Sequence, residues 1–240
     1  MMIGLMSIGG VDEVGRGPLA GPVVACTAVF SGPIKIEGLR DSKKLSARQR
    51  ARLKEEILGC VKEISVAFVA EKHIDEMNIY HASLRAMQDS VNALKTPPDA
   101  LKVDAVKIPG TTIPQEAIIK GDSTIPEIMA ASIIAKEARD EYMHRLGQQH
   151  PGYGLEKHMG YGTRQHLEAI KELGVLDCHR RSFRPVMEAI FQSAESVLRE
   201  LRSANSGEVV SFVKRARAMG FEPRLKQYNS LLNQVLAERA

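Results

Sequence analysis

Ile8-Gly9-Gly10-Val11-Asp12-Glu13-Val14-Gly15-Arg16-Gly17-Pro18 opens as an apolar run, sets two carboxylates side by side, and breaks into a Gly-Arg-Gly turn. The apolar part reads as a strand over residues 8–14. Ionised carboxylates inside such a strand are costly to bury without a positive partner, so basic side chains or metal ions must face them. Gly15 and Gly17 carry no side chain, so a ligand can approach the backbone closely. The stretch points to metal-assisted cleavage of a nucleic acid, with acids holding the metal and glycines meeting the substrate.

Outward from there, residues 22–30 (PVVACTAVF) read as a second strand, joined to the first by a short Gly- and Pro-rich link that suits antiparallel neighbours. Ser46 is an expected N-cap for a helix that Gly59 stops, and residues 61–70 alternate as a third strand. Helical spacing of Ile79, Leu84, Met87, Val91 and Leu94 predicts a helix over 73–94. Strands are expected at 101–108 and 117–120. Thr124 and Glu127 have the spacing of a capping box, with Pro126 in the first turn of a helix reaching about Leu146. Residues 150–163 are glycine-rich loop, a short helix is expected over 165–173, and 178–185 form a basic loop. Together these predict an α/β fold: a five-stranded mixed sheet with helices on both faces, strands one, four and five being parallel neighbours.

From residue 190 the pattern is helical only. Val209, Phe212, Val213, Ala216 and Met219 form one apolar stripe, and Leu225, Tyr228, Leu231, Leu232 and Val235 a second. This tail holds 8 Lys and Arg against 5 acids, most of the chain's net charge of +4. The expected division is a catalytic domain over 1–189 and a C-terminal helical extension over 190–240 packed on it.

The totals exclude some classes. A hydrophobic fraction of 44% in 240 residues fits a globular chain. The mild positive charge permits a polyanionic partner without requiring one. Cys26, Cys60 and Cys178 are scattered and form no C-x-x-C, which indicates neither a disulfide framework nor a zinc knuckle. The N-terminus lacks the basic flank of a signal peptide, and no apolar run approaches the ~20 residues that span a bilayer, so a cytoplasmic location without membrane attachment is expected. The seven histidines show no H-x-x-x-H pattern, and no G-K-[ST] follows the glycines, so zinc and nucleoside triphosphate sites are not expected.

Four acids fall at strand ends in this scheme: Asp12, Glu13, Asp104 and Asp122. Ligands of open α/β sheets gather at such ends. Carboxylates drawn together repel unless cations intervene, and hard divalent ions such as Mg²⁺ or Mn²⁺ suit oxygen ligands. Two ions ~4 Å apart would serve phosphodiester hydrolysis. Backbone groups of Gly15-Arg16-Gly17 could bond a ribose 2′-OH, the group that separates RNA from DNA. A site built to bond a hydroxyl can reject its absence by about 10⁴-fold. Lys43, Lys44, Ser132, Lys136 and Arg139, and the loop with His179, Arg180 and Arg181, are candidates for phosphate contacts. Tyr161, between two glycines, is placed to stack on a sugar or base, whereas Tyr153 in a similar setting equally suits packing.

Residues 10–23 (GVDEVGRGPLAGPV) resemble the opening signature of type 2 ribonuclease H, the bacterial ribonuclease HII family. So do Asp41-Ser42-Lys43-Lys44-Leu45, Lys120-Gly121-Asp122-Ser123, residues 131–136 (ASIIAK), Gly160-Tyr161-Gly162-Thr163 and His179-Arg180-Arg181-Ser182-Phe183, in the family's order over about residues 8–187. The resemblance implies a ribonuclease H-like fold and endonucleolytic cleavage of RNA in RNA/DNA hybrids, including at single ribonucleotides in duplex DNA, leaving 3′-OH and 5′-phosphate ends. It implies that Asp12, Glu13, Asp104 and Asp122 bind the metal and that Gly15, Arg16, Gly17 and Tyr161 sense the RNA–DNA junction. The expected partners are RNA/DNA hybrid and DNA duplex containing ribonucleotides. A monomer is expected, with a replication-clamp-type protein as a candidate partner. Two departures stand out: Ala105 where many relatives carry Gly, and Met159 where a Lys is common. A DNA-directed nuclease of the same fold and a hybrid-binding protein with a vestigial site are the rival readings.

Overall fold

The computed structural model describes residues 6–192, 199, 203 and 205–218. Five strands, β1 (Ser7–Val14), β2 (Val23–Ser31), β3 (Glu63–Val69), β4 (Ala100–Asp104) and β5 (Gln115–Ile118), form one sheet in the order β3-β2-β1-β4-β5. β1 runs antiparallel to β2, and β2 to β3, while β1, β4 and β5 are parallel. This is the mixed sheet that the spacing predicts. β4 and β5 both end earlier than expected, at Asp104 and Ile118, because left-handed residues interrupt the chain just past each: Ala105 has φ 58° and Lys120 also φ 58°. Non-glycine residues reach that region at a cost, and the ladder stops there.

Eight helices accompany the sheet among the described residues: α1 (Ala47–Cys60), α2 (Glu71–Asn92), α3 (Gly121–Thr124), α4 (Pro126–Gln149), α5 (Leu155–His158), α6 (Arg164–Leu173), α7 (Arg184–Gln192) and α8 (Ser206–Ala218). Ser46 caps α1 as expected, and Gln49 returns the hydrogen bond to complete a capping box. The box expected at Thr124 and Glu127 does not form. Thr124 instead ends α3, its hydroxyl donating to the Lys120 carbonyl, while α4 starts after Ile125 with no side-chain cap. Glu127 is engaged by Lys102 at 3.2 Å. α2 contains a break that the periodicity hides. Asn78 sits at φ 68°, and its Oδ1 accepts from the backbone N–H groups of Tyr80 and His81, which restarts the helix.

Alternation along β1 sends successive side chains to opposite faces. Val11 packs with Val23, Ala25 and Val103 under Ile74, Ala86 and Met87 of α2. On the other face, Cys26, Ala28 and Phe30 meet Leu53 and Ile57 of α1 and Ala130, Ile133 and Ile134 of α4. Gly10 is where α4 crosses β1. A Cβ there would lie 2.0 Å from the Glu127 carbonyl oxygen, so only glycine lets the helix start so close. That approach sets the first turns of α4 beside Asp12, two residues along the same face.

α7 runs across residue 189. Ile190 and Phe191 are buried with Leu19, Ile170, Val186, Met187 and Val209 of α8, with Val213 packed at the edge. Met219 and the stripe over 225–235 lie outside the described residues. No helix among the described residues is long and apolar enough to cross a membrane.

Candidate active site

β1 delivers Asp12 and Glu13, β4 ends on Asp104, and the first turn of α3, immediately past β5, carries Asp122. Adjacent parallel strands therefore bring all four acids to one end of the sheet. Asp12 is buried, and its carboxylate accepts the Glu13 N–H at 2.8 Å and the Ser132 hydroxyl. The Asp122 N–H reaches Asp104 Oδ1 at 3.3 Å. Burial pushes the Asp12 carboxyl well above its ordinary range; the adjacent Glu13 and then Asp104 add to this, against the Ser132 bond. Glu13 is raised as well, first by burial, with Arg16 opposing. Asp104 is raised by burial above all, and the charge of Asp122 adds to it.

Two basic side chains stand against this negative charge. Lys43 Nζ bonds Asp122 Oδ2 at 2.9 Å, and Arg16 Nη1 reaches Glu13 Oε1 at 3.3 Å. The bond to Asp122 holds the Lys43 ammonium above its usual range. Lys43 is itself set by Asp41, whose Oδ1 takes the Lys43 N–H at 2.9 Å in a short 3-10 turn. Among the described residues no three His, Cys, Asp or Glu side chains close on one point as a finished metal cage. The donor set nevertheless fits hard divalent cations: every candidate ligand is a carboxylate oxygen, burial and neighbouring charge disfavour the charged forms of Asp12, Glu13 and Asp104, and the ammonium and guanidinium occupy places that a cation would take.

The second wall of the site is the Gly15-Arg16-Gly17 turn. Gly15 has φ 92°, and a Cβ on it would strike Arg139 Nε at 2.3 Å. Tyr161, half exposed, leans over Gly17, its Cε1 3.5 Å from where a Cβ would be.

What lies behind this turn corrects three expectations. Arg180 is fully buried rather than facing a phosphate. Its guanidinium donates to the carbonyls of Gly15 (2.6 Å), Arg16 (3.0 Å) and Gly21 (2.9 Å). Arg139 is equally buried and donates to Pro22, Ala20 and Met159 carbonyls, each at 3.0 Å. A guanidinium presents five N–H donors in a rigid fork, so each can tie down three turns of backbone at once. Burial, and then the charge of Arg139, pulls Arg180 down to about 9; Glu71 supplies opposing charge to both. Ser132 is also buried, and its hydroxyl serves Asp12 and Ser42 (2.9 Å) rather than a phosphate.

The remaining basic candidates divide. Lys44 is exposed. Lys136 bonds Asp140, a carboxylate that Arg50 also engages. Arg181 bonds Asp177 at 2.9 Å, and its backbone N–H, with that of Ser182, is held by Asp75 of α2. Tyr153 is buried, with its hydroxyl donating to the Gly174 carbonyl, so it packs. Asp75 escaped sequence reasoning because an acid on an amphipathic helix looks like any solvated acid. So did His166, although its place five residues past Tyr161, in the first turn of α6, is a signal of a contact back to that loop.

A mixed five-stranded sheet in this order, with acids at the ends of its parallel strands, defines a ribonuclease H-like hydrolase. The family model described as Ribonuclease HII matches residues 9–186, and the chain belongs to that family. A Ribonuclease HII of Bacillus cereus is 52% identical over 187 residues, covering 78% of this chain and 72% of the relative. The crystal structure of ribonuclease H2 from Pyrococcus horikoshii OT3 is similar at 28% identity and TM-score 0.64, covering 77% of this chain and 97% of that one. The ribonuclease HII in the PCNA complex from Archaeoglobus fulgidus is similar at 28% identity and TM-score 0.65, covering 75% and 96%. The chain is accordingly a ribonuclease H endonuclease.

Proposed function

We propose that this chain hydrolyses the RNA strand of RNA/DNA hybrids and cuts on the 5′ side of single ribonucleotides in duplex DNA, leaving 3′-OH and 5′-phosphate ends. The observation that carries this reading is the union of four carboxylates at one sheet end with a glycine turn under an exposed tyrosine. Asp12, Glu13, Asp104 and Asp122 would hold two Mg²⁺ or Mn²⁺ ions. Bound there, divalent ions supply Lewis acidity for water activation and for the leaving oxygen.

The protein's own residues do the rest. Lys43 and Arg16 neutralise Asp122 and Glu13 in the absence of metal, which keeps the acids together. Gly15 and Gly17 let the ribose approach, and backbone groups of the turn bond the 2′-OH. Tyr161 stacks against the sugar that follows. Lys44 and Arg16 lie on the exposed rim and meet phosphates, with Arg181 and Lys136 joining once substrate competes with their acidic partners. Ser132 and Arg180 act from behind, on Asp12 and on the turn.

The extension from residue 190 carries net positive charge and widens the duplex-binding surface. Lys214→Glu, at an exposed position on α8, is expected to raise KM and leave kcat unchanged. The protein works as a cytoplasmic monomer. By likeness to the Archaeoglobus protein, which is solved with PCNA, a clamp-type partner is proposed for this chain. The test of the whole reading is a duplex with one ribonucleotide, compared with all-DNA and with continuous hybrid in Mg²⁺ or Mn²⁺. Cleavage 5′ of the ribonucleotide, with all-DNA intact, is the expected result. Equal cutting of all-DNA would favour a DNA-directed nuclease.

A further inference from the structure

We propose that His179 and His166 form a hydrogen-bond chain of fixed polarity that positions Tyr161 over the glycine turn, making both histidines specificity-determining positioning residues. The inference rests on the reading of Tyr161 as the junction sensor.

The chain follows from what each end must do. The Leu176 N–H can only donate, and it meets His179 Nδ1 at 2.8 Å. His179 Nδ1 is therefore bare, and the ring proton is on Nε2. That proton points at His166 Nε2, 3.0 Å away, which must accept. His166 then carries its proton on Nδ1, which donates to the Tyr161 carbonyl at 3.0 Å, a group that can only accept. Each step leaves one choice, so both tautomers are set by two backbone groups.

The same logic excludes a metal between the rings. A ligating pair would need bare Nε2 atoms on both, and His179 would then have to be protonated on the Nδ1 that takes the Leu176 N–H. Both histidines are buried, and burial draws His166 down to about 4 and His179 to about 3, in keeping with neutral rings. His158 stacks on His166 with centroids 4.5 Å apart, while its backbone carbonyl takes the Tyr161 N–H at 2.9 Å. Tyr161 is thus held from both sides of its peptide. The backbone needs this support, because Met159 and Gly160 just before it both have positive φ. The same loop is joined to the turn by the Leu19 N–H bond to the Gly160 carbonyl at 2.8 Å. A displacement of His166 would therefore move the tyrosine relative to Gly17 without touching an acid.

Two measurements test this. Long-range ¹H–¹⁵N spectra of the wild-type protein at pH 7 should show His179 protonated on Nε2 and His166 on Nδ1. Any other tautomer, or a charged ring, overturns the chain. In a double-mutant cycle, Tyr161→Ala and His166→Phe are each expected to lower kcat/KM about 10-fold at a single ribonucleotide and less than about 3-fold on continuous hybrid. His166→Phe should add no further loss in the Tyr161→Ala background. His166→Asn, whose amide can still donate to the Tyr161 carbonyl, should recover most of the loss. If Tyr161→Ala is not selective, the underlying reading of the tyrosine fails, and the positioning role with it. If Tyr161→Ala is selective but His166→Phe lowers both substrates alike, or the two losses multiply, the reading stands and the positioning proposal is wrong.

Discussion

The two walls of the candidate site are built on opposite principles. The sheet end gathers four carboxylates, three of them pushed to higher pKa by burial and by neighbouring charge, with Lys43 and Arg16 in opposition. The turn wall spends its donors on backbone: two buried guanidiniums tie six carbonyls, and neutral histidines close a one-directional chain. The first wall stores electrostatic tension that a cation would release. The second commits its polar groups to rigidity. Chemistry needs the former and recognition the latter, since small displacements of positioning groups cost large factors in rate.

Neutralising an acid breaks this contrast most sharply. Asp12→Asn or Asp122→Asn should lower kcat by at least about 10³-fold while duplex binding survives, the scale expected when charge stabilisation is removed. Asp12→Asn should also leave the melting temperature unchanged or raised, because a buried carboxylate is destabilising when unpaired. Thermal unfolding checks this, and a marked fall would show that the charge is structurally satisfied.

Arg180→Lys addresses the other wall. A lysine cannot span three carbonyls, so stability should fall by about 3 kcal/mol, from lost bonds to a charged donor. Cleavage at a single ribonucleotide should fall about 10- to 100-fold. Denaturant titration and steady-state kinetics read the two effects, and a wild-type result in both would return Arg180 to the surface role its sequence context suggested.

The histidine chain gives a pH dependence of opposite origin to that of the acids. His166 and His179 have folded values near 4 and 3, below the ordinary 6.5. The unfolded chain therefore binds protons first, so the stability these rings contribute is complete above about pH 6.5 and is lost as pH falls toward 4. A tenfold difference in proton affinity between folded and unfolded chain is worth about 1.4 kcal/mol, so each ring contributes a loss of at most about 3 kcal/mol across that window. In a His166→Phe, His179→Phe double variant the loss over this window should shrink, which thermal unfolding followed against pH would show.

The smallest expected effect lies at Ala105. Its φ of 58° lies in the left-handed region that favours glycine. Ala105→Gly should relieve left-handed strain and stabilise the fold by about 1 kcal/mol. Chemical denaturation would detect it, and destabilisation would mean that the alanine methyl packs usefully.

How far the sequence was readable follows the same division. The strand pattern, the antiparallel pair and the parallel trio were legible because apolar alternation and acids inside apolar runs report burial directly. The role of Arg180 was not. Three basic residues in one loop look like a surface patch, and only the fold reveals that the middle one faces inward to carbonyls more than 150 residues away in the chain. Thr124 and Glu127 had the spacing of a cap, but the turn that carries Asp122 claimed Thr124, and Lys102 claimed Glu127. The break at Asn78 was hidden because apolar residues keep helical spacing across it. Local patterns thus located the acids, whereas the groups that brace the recognition wall are long-range contacts with no local signature.

The most direct test is anomalous diffraction from crystals of the protein bound to a ribonucleotide-containing duplex in Mn²⁺. The account predicts manganese peaks among Asp12, Glu13, Asp104 and Asp122 beside the phosphate at the ribonucleotide. Those carboxylates still held by Lys43 and Arg16, with no manganese among them, would contradict it.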